Sequence, residues 1–243
     1  MGDLSGVETD MAILSVEDLH TYYGDSHILH GVSLEVGEGG VVAVLGRNGV
    51  GKTTLAHSIV GLVNPRQGKI VFRGRDITHL PAYRVARLGI RVVPQGRRVF
   101  GSLTVKQTLQ IASLNQMTTA WSMDRVLALF PKLQLRIASR AGDLSGGEQQ
   151  MLAIARAILG NPYFMVADEP TEGLSPMLVE EFARIITDLK TGGLSILLVE
   201  QNLPFALRLA DYTYILSKGS VVHQSSTEEF SQNMEAAHKY LSI

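Results

Sequence analysis

The segment Gly46-Arg47-Asn48-Gly49-Val50-Gly51-Lys52-Thr53 fits the phosphate-loop pattern G-x4-G-K-[ST], directly after the apolar run Val41 to Leu45 and ahead of a helical pattern from Leu55 to Val63. Its glycines let the backbone fold tightly around phosphate oxygens and turn N–H groups inward at the positive end of a helix. Lys52 supplies a mobile cation for the β- and γ-phosphates, and Thr53 places a hydroxyl on Mg²⁺. On this motif alone any nucleotide would serve. A second candidate is Asp168-Glu169, which ends the apolar run Tyr163 to Ala167 and so emerges at the carboxyl edge of a strand, where open α/β sheets bind ligands. Asp168 would orient Mg²⁺ through a water and Glu169 would polarise an attacking water as general base; the same pattern also describes a strand leaving the core. The third is Leu144-Ser145-Gly146-Gly147-Glu148-Gln149-Gln150, followed by Met151, Ile154, Ala155 and Ile158 at helical spacing. It reads as a small-residue helix N-terminus that meets an anion, with a plain Ser/Gly N-cap as the alternative.

These residues need an α/β framework to bring them together. The runs Val41–Leu45, Ile90–Val93, Tyr163–Ala167 and Ile196–Val199 alternate with helical segments, which predicts a mostly parallel sheet covered by helices. A helix is expected after Leu174, with Ser175 as N-cap, Pro176 in the first turn, Leu178, Phe182, Ile185, Ile186 and Leu189 on one face, and Gly192-Gly193 at its end. Ile13 to Val36 and Lys69 to Arg75 read as strands with turns at Gly24-Asp25 and Gly74, an antiparallel flap added to the core. From Gly96 to Gly142 strand patterns give way to helical ones, the clearest carrying Val126, Leu127, Leu129, Phe130 and Leu133. The chain is therefore expected to form one domain, with a core over 1–95 and 152–243 and an inserted helical subdomain over about 96–151.

Composition narrows the function classes. With 243 residues, 45% hydrophobic and 19% charged, the chain can bury one continuous core without staples. Lys+Arg 22 against Asp+Glu 23 gives a net charge of −1, so the basic footprint of a dedicated nucleic-acid binder is missing. Zero cysteines excludes thiol catalysis and Cys-ligated metal. The seven histidines lack metal-ligand spacing, and Ser145 has no base-and-orienter pair to make it a nucleophile. Met1 to Asp10 carries three acids where a signal peptide would be basic, and the uncharged stretch Gln107 to Met123 is too polar for a membrane span. A cytosolic location is expected, with any membrane role coming through a partner.

The motif at residues 144–150, lying between the phosphate loop and Asp168-Glu169, resembles the signature of the ATP-binding-cassette (ABC) ATPases, and the resemblance extends from Leu14 to about Val222. It implies hydrolysis of ATP with Mg²⁺. Gly46, Asn48, Gly49, Gly51, Lys52, Thr53 and Thr54 would hold the phosphates, while Ser145, Gly146 and Gly147 would meet the nucleotide of a second cassette. Tyr23 matches the adenine-stacking position, with Tyr22 beside it as a rival, and Gln95 matches the glutamine that reaches Mg²⁺ and the γ-phosphate. Thr171 to Pro176 matches a loop that crosses the dimer interface, although Ser175 stands where Asp is usual. After Val199 the family places a histidine on the γ-phosphate. Here Gln201 occupies that place; its amide can donate and accept but cannot titrate near neutral pH.

Val199-Glu200-Gln201-Asn202, Pro94 to Phe100 and Glu172 to Pro176 look like the ATPases of branched-chain amino acid and amide (urea-type) importers. That resemblance implies head-to-tail pairing with a second ABC ATPase subunit as a heterodimer, with a homodimer as the other arrangement. It also implies two membrane permease subunits, a separate solute-binding protein, no nucleic acid, and a peripheral place on the cytoplasmic face of the inner membrane. Arg97-Arg98-Val99-Phe100 is expected beside the groove that receives a permease helix. A non-transport cytosolic ABC ATPase and an exporter or lipid-transport ATPase share the hydrolytic motifs.

Overall fold

A computed structural model describes residues 12–114 and 120–241. The acidic N-terminal stretch and part of the Gln107–Met123 segment therefore lie outside the described residues. Two sheets share one core. The first contains β1 (Ala12–Tyr23), β2 (Ser26–Gly37), β4 (Gln67–Phe72) and β5 (Arg75–Asp76), in the antiparallel order β2-β1-β4-β5. The second has the order β10-β9-β3-β8-β7-β6, built from β3 (Val41–Leu45), β6 (Ile90–Val93), β7 (Phe164–Asp168), β8 (Ser195–Glu200), β9 (Tyr212–Ser217) and β10 (Ser220–Ser226). All its pairings are parallel except β9 with β10.

The central strands are continuous apolar runs because both faces are covered. Val41, Ala43 and Leu45 of β3 point into one core with Met165, Ala167, Ile196 and Leu198, while Val42 and Val44 point into another with Phe164, Val166, Leu197 and Val199. The first core is closed by α6 (Gly146–Leu159), α7 (Pro176–Thr191) and α8 (Leu203–Leu209), the second by α1 (Lys52–Ile59) and the antiparallel sheet. Each Val, Leu, Ile, Phe or Met side chain fully buried this way contributes about 1.5–3 kcal/mol.

Between β6 and α6 lie α3 (Val105–Ser113), α4 (Met123–Leu129), α5 (Pro131–Leu135) and a single 3-10 turn, Ala141–Asp143. The remaining helices are α2 (Ala82–Arg87), α9 (Thr227–Gln232) and α10 (Glu235–Leu241). The apolar pattern from Val126 to Leu133 is divided between α4 and α5, because Pro131 occupies the first turn of a new helix after Phe130 leaves helical geometry. Likewise α1 starts at Lys52 and ends at Ile59, where a helix from Leu55 to Val63 was expected; Val60 is its C-cap and Gly61 turns left-handed at φ 73°. Helix α6 runs unbroken through residues 151 and 152, and its buried apolar residues belong to the same cluster as Val41, Ala43 and Leu45 of the sheet.

Gly219, in the turn between β9 and β10, couples the sheets to the phosphate loop. Its N–H donates to the Val50 carbonyl at 2.9 Å and its carbonyl accepts from His30 N–H at 2.8 Å. At φ 78° a Cβ here would stand 2.1 Å from the Ile28 carbonyl oxygen. Gly219→Ala is expected to lower stability by roughly 2–4 kcal/mol, combining the left-handed cost with a backbone overlap that no rotamer relieves. Urea denaturation of both proteins measures it, and equal midpoints would show that the turn adapts freely.

Candidate functional site

Three strand ends converge on the start of α1. Gly51 caps this helix in a left-handed conformation, without a side-chain cap, so Lys52 begins the helix and its side chain folds back over the loop. Its ammonium donates to the carbonyls of Gly46 at 2.8 Å and Arg47 at 3.0 Å and pairs with Glu169 Oε1 at 2.8 Å, using all three protons at a site only 3% exposed. Asn48, Gly49, Gly51, Lys52, Thr53, Thr54, Gln95, Glu169 and Ile28 line one recess of about 290 Å³.

Strand parity decides where the two carboxylates go. Asp168 shares the face of Phe164 and Val166, toward α1, and its Oδ1 accepts from Thr53 Oγ1 at 3.3 Å. Asp168 Oδ2 is buried without a partner. Burial, more than any neighbour, raises the Asp168 pKa to about 6, against the opposing hydrogen bond from Thr53. Glu169 leaves the strand at φ 46°, held by its N–H donating to the Val199 carbonyl at 2.8 Å. Its Oε2 accepts from Gln95 Nε2 at 2.8 Å, and the same amide donates to Glu172 Oε2 at 3.0 Å. Gln95 Oε1 faces the Thr53 hydroxyl at 3.5 Å. Lys52, Thr53, Gln95, Asp168 and Glu169 thus form one hydrogen-bonded group, and Glu172 joins it through Gln95.

The tyrosines are sorted by their neighbours. Tyr22 stacks on His27 at 4.0 Å between ring centroids and carries the Arg66 guanidinium 4.2 Å above its ring. Tyr23 is 48% exposed, leaving a free face. His20, His27 and His30 are drawn together by the β1–β2 register, with His20 Nδ1 3.1 Å from His27 Nε2. Separations of three and seven residues gave no sign of this grouping.

Ser145, Gly146 and Gly147 lie outside the Lys52 recess. Ser145 caps α6 in a reciprocal box with Glu148: its hydroxyl accepts from Glu148 N–H at 3.3 Å, and its own N–H donates to Glu148 Oε2 at 2.8 Å. The helix N-terminus is thus built where it was expected, and the Ser145 cap is common to both readings of it. Side-chain tips approach both glycines closely: a Cβ on Gly146 would meet the Arg97 guanidinium at 2.4 Å, and one on Gly147 would meet Leu178 Cδ1 at 2.2 Å, so either tip would have to move. Ser145 lines a separate recess of about 230 Å³ with Phe130, Met151 and Leu178.

Gln201 follows β8 and is exposed. Its neighbour Glu200, 2% exposed, accepts four hydrogen bonds, from Thr171 N–H at 3.1 Å, Thr171 Oγ1 at 2.7 Å, Gln201 N–H at 2.9 Å and Asn202 N–H at 3.1 Å. Desolvation still raises its pKa against these donors. Glu172 and Glu200 were missed by the sequence reading; a glutamate ending an apolar strand was the available signal for Glu200.

A family model described as ABC transporter matches residues 29–172. The high-affinity branched-chain amino acid transport ATP-binding protein BraG of Pseudomonas aeruginosa is 40% identical over 231 residues, covering 94% of this chain and 99% of that protein. A probable branched-chain amino acid transport ATP-binding protein LivF of Archaeoglobus fulgidus is 39% identical over 89% of this chain and 93% of its own length. The lipopolysaccharide export system ATP-binding protein LptB of Haemophilus influenzae is 34% identical over 95% and 98%. A nucleotide-free ATP-binding cassette from an ABC transporter superposes with a TM-score of 0.84 at 28% identity, covering 96% of this chain and 99% of that one. With the phosphate loop, paired carboxylates and second helix N-terminus in place, the chain belongs to the ABC transporter family as an ATP-binding, ATP-hydrolysing subunit that powers transport.

Proposed function

We propose that this ATPase drives an importer for branched-chain amino acids, urea or related amides. The observation that carries the reading is the 40% identity to BraG across 99% of its length. ABC ATP-binding subunits of transporters dimerise and work with membrane permease subunits. The finer composition belongs to the proposal: a second, related ATPase as heterodimer partner rather than an identical copy, two permeases, a separate solute-binding protein, and a peripheral place on the cytoplasmic face of the inner membrane. No helix among the described residues is long and apolar enough to cross a membrane. A groove lined by Val60, Leu62, Val85, Ile90, Ala112 and Arg156 supports docking of a permease helix; Arg156 donates to the Arg98 carbonyl at 3.1 Å, which ties the Arg97–Phe100 segment to it, and Phe100 is 61% exposed.

In this reading Tyr23 stacks on adenine and the loop from Gly46 to Thr54 holds the phosphates. An incoming γ-phosphate accepts the hydrogen bond that the Lys52 ammonium now donates to Glu169, and this frees the carboxylate to polarise water. Thr53, Gln95 and Asp168 are suited to hold Mg²⁺: their oxygens are hard donors, they already converge, and Asp168 Oδ2 is a buried acceptor without a donor. When bound, the ion neutralises charge on the β- and γ-phosphates. Gln201 contributes a neutral amide to the γ-phosphate, and Ser145, Gly146 and Gly147 face the partner cassette's nucleotide. Hydrolysis removes the phosphate that bridges the two subunits, so the pair can open.

Glu169→Gln is expected to lower ATP turnover by about 10²–10⁴-fold while ATP binding persists; a full-rate variant in single-turnover assays excludes Glu169 as the base. Asp168→Asn should separate stability from function. Because the folded carboxyl titrates near about 6 against 3.8 for the free group, its contribution is intact below pH 3.8 and lost as pH rises past 6, so the wild type carries this cost at pH 7. The variant should therefore be roughly 1–3 kcal/mol more stable by denaturant titration at pH 7 without nucleotide, yet fail in Mg²⁺-dependent hydrolysis. Transport is tested by reconstituting the chain with its co-encoded permeases. Stimulation of ATP turnover by binding protein loaded with leucine, urea or an amide is expected, together with crosslinking of a photoprobe at Phe100 to a permease. An export reading, supported by the 34% identity to LptB, would instead give turnover indifferent to any binding protein and responsive to lipopolysaccharide.

A further inference from the structure

The end of β8 holds both loops that carry the water-activating and γ-phosphate-facing groups. The Val199 carbonyl accepts from Glu169 N–H at 2.8 Å. One residue on, the Glu200 carboxylate divides its two oxygens between two segments. Oε1 takes Thr171 N–H and Oγ1, and Oε2 takes the N–H groups of Gln201 and Asn202. Asn202 in turn caps α8, its Oδ1 accepting from Phe205 N–H at 3.2 Å. All four partners of Glu200 are donors, so only a group that accepts at both ends satisfies them. Desolvating a carboxylate in this way is costly, and a buried charge whose partners are loop groups is poorly accounted for by fold stability alone.

We propose that Glu200 is a positioning residue that fixes Gln201 relative to Glu169, so that the amide and the general base address one phosphate and one water in register. The proposal rests on the reading of Gln201 as the γ-phosphate contact. Glu200→Gln keeps the volume but turns an N–H toward one pair of donors, which releases either the Thr171 loop or the Gln201 turn. Thr171→Val removes only the 2.7 Å hydroxyl bond, and Thr171→Ser retains it.

The test compares steady-state ATP turnover and KM in the assembled complex for Glu200→Gln, Gln201→Ala and the double variant. The expected result is a fall in kcat of about tenfold or more for Glu200→Gln with KM within about threefold, and a double variant no slower than Gln201→Ala within about twofold. Thr171→Val should lose about threefold or more in kcat and Thr171→Ser should restore it, which keeps the test open if Glu200→Gln folds poorly. Losses that multiply in the double variant overturn the positioning role while leaving Gln201 assigned. Full-rate turnover by Gln201→Ala overturns the Gln201 assignment and this proposal with it. An unchanged kcat in both Glu200→Gln and Thr171→Val overturns the proposal alone.

Discussion

The site is organised around the ion pair between Lys52 and Glu169, 2.8 Å apart and nearly closed to solvent. Taking both charges out of water costs several kcal/mol per ion before attraction returns any of it. The cost is limited by saturation: the ammonium has two backbone carbonyls besides the carboxylate, and the carboxylate has the Gln95 amide on its other oxygen. Such an arrangement requires three chain segments to be delivered within fractions of an ångström. That delivery is the task of the parallel order β3-β8-β7-β6, in which the phosphate loop leaves β3, Glu200 ends β8, the two carboxylates end β7, and Gln95 follows β6.

Much of this was legible because the signals were local. Val41–Leu45 is too uniformly apolar for a half-exposed strand, and a strand buried on both faces is what formed. The flap turn at Gly24-Asp25 was equally plain, since β1 and β2 meet at Tyr23 and Ser26. Local signals failed where spacing understated geometry. The Val126–Leu133 pattern kept helical periodicity through Pro131, although proline's missing N–H favours a new first turn over continuation. The β9 strand, Tyr212–Ser217, went unremarked because its run mixes Tyr, Thr and Ser with the aliphatic residues and its place beside β3 is settled by long-range pairing.

Within the site, residue types were readable while directions and partners were not. Asp168-Glu169 announced two carboxylates, but only strand parity and the left-handed turn at Glu169 send one to Thr53 and the other to Lys52. Gly146 and Gly147 were legible as small residues at a helix start. What crowds them is tertiary, the Arg97 guanidinium over one and the Leu178 tip over the other. Both contacts tie the start of α6 to neighbouring segments, one to the Arg97 loop after β6 and the other to α7, the helix that follows the Glu169 loop.

In the proposed reading Gln201 stands where the family places a titratable ring, and this moves a burden onto the backbone. An imidazole can take or give a proton and so adjust its charge to a phosphate; an amide has fixed donors and acceptors and depends on where it is aimed. In that reading the aim is given by a buried carboxylate that grips the backbone N–H groups of Gln201 and Asn202 and the Thr171 loop that follows Glu169. Glu200 remains a good acceptor for these four groups only while it is ionised, although burial favours the neutral form. The donors oppose that tendency, so the geometry of the turn after β8 depends on all four of them reaching one carboxylate.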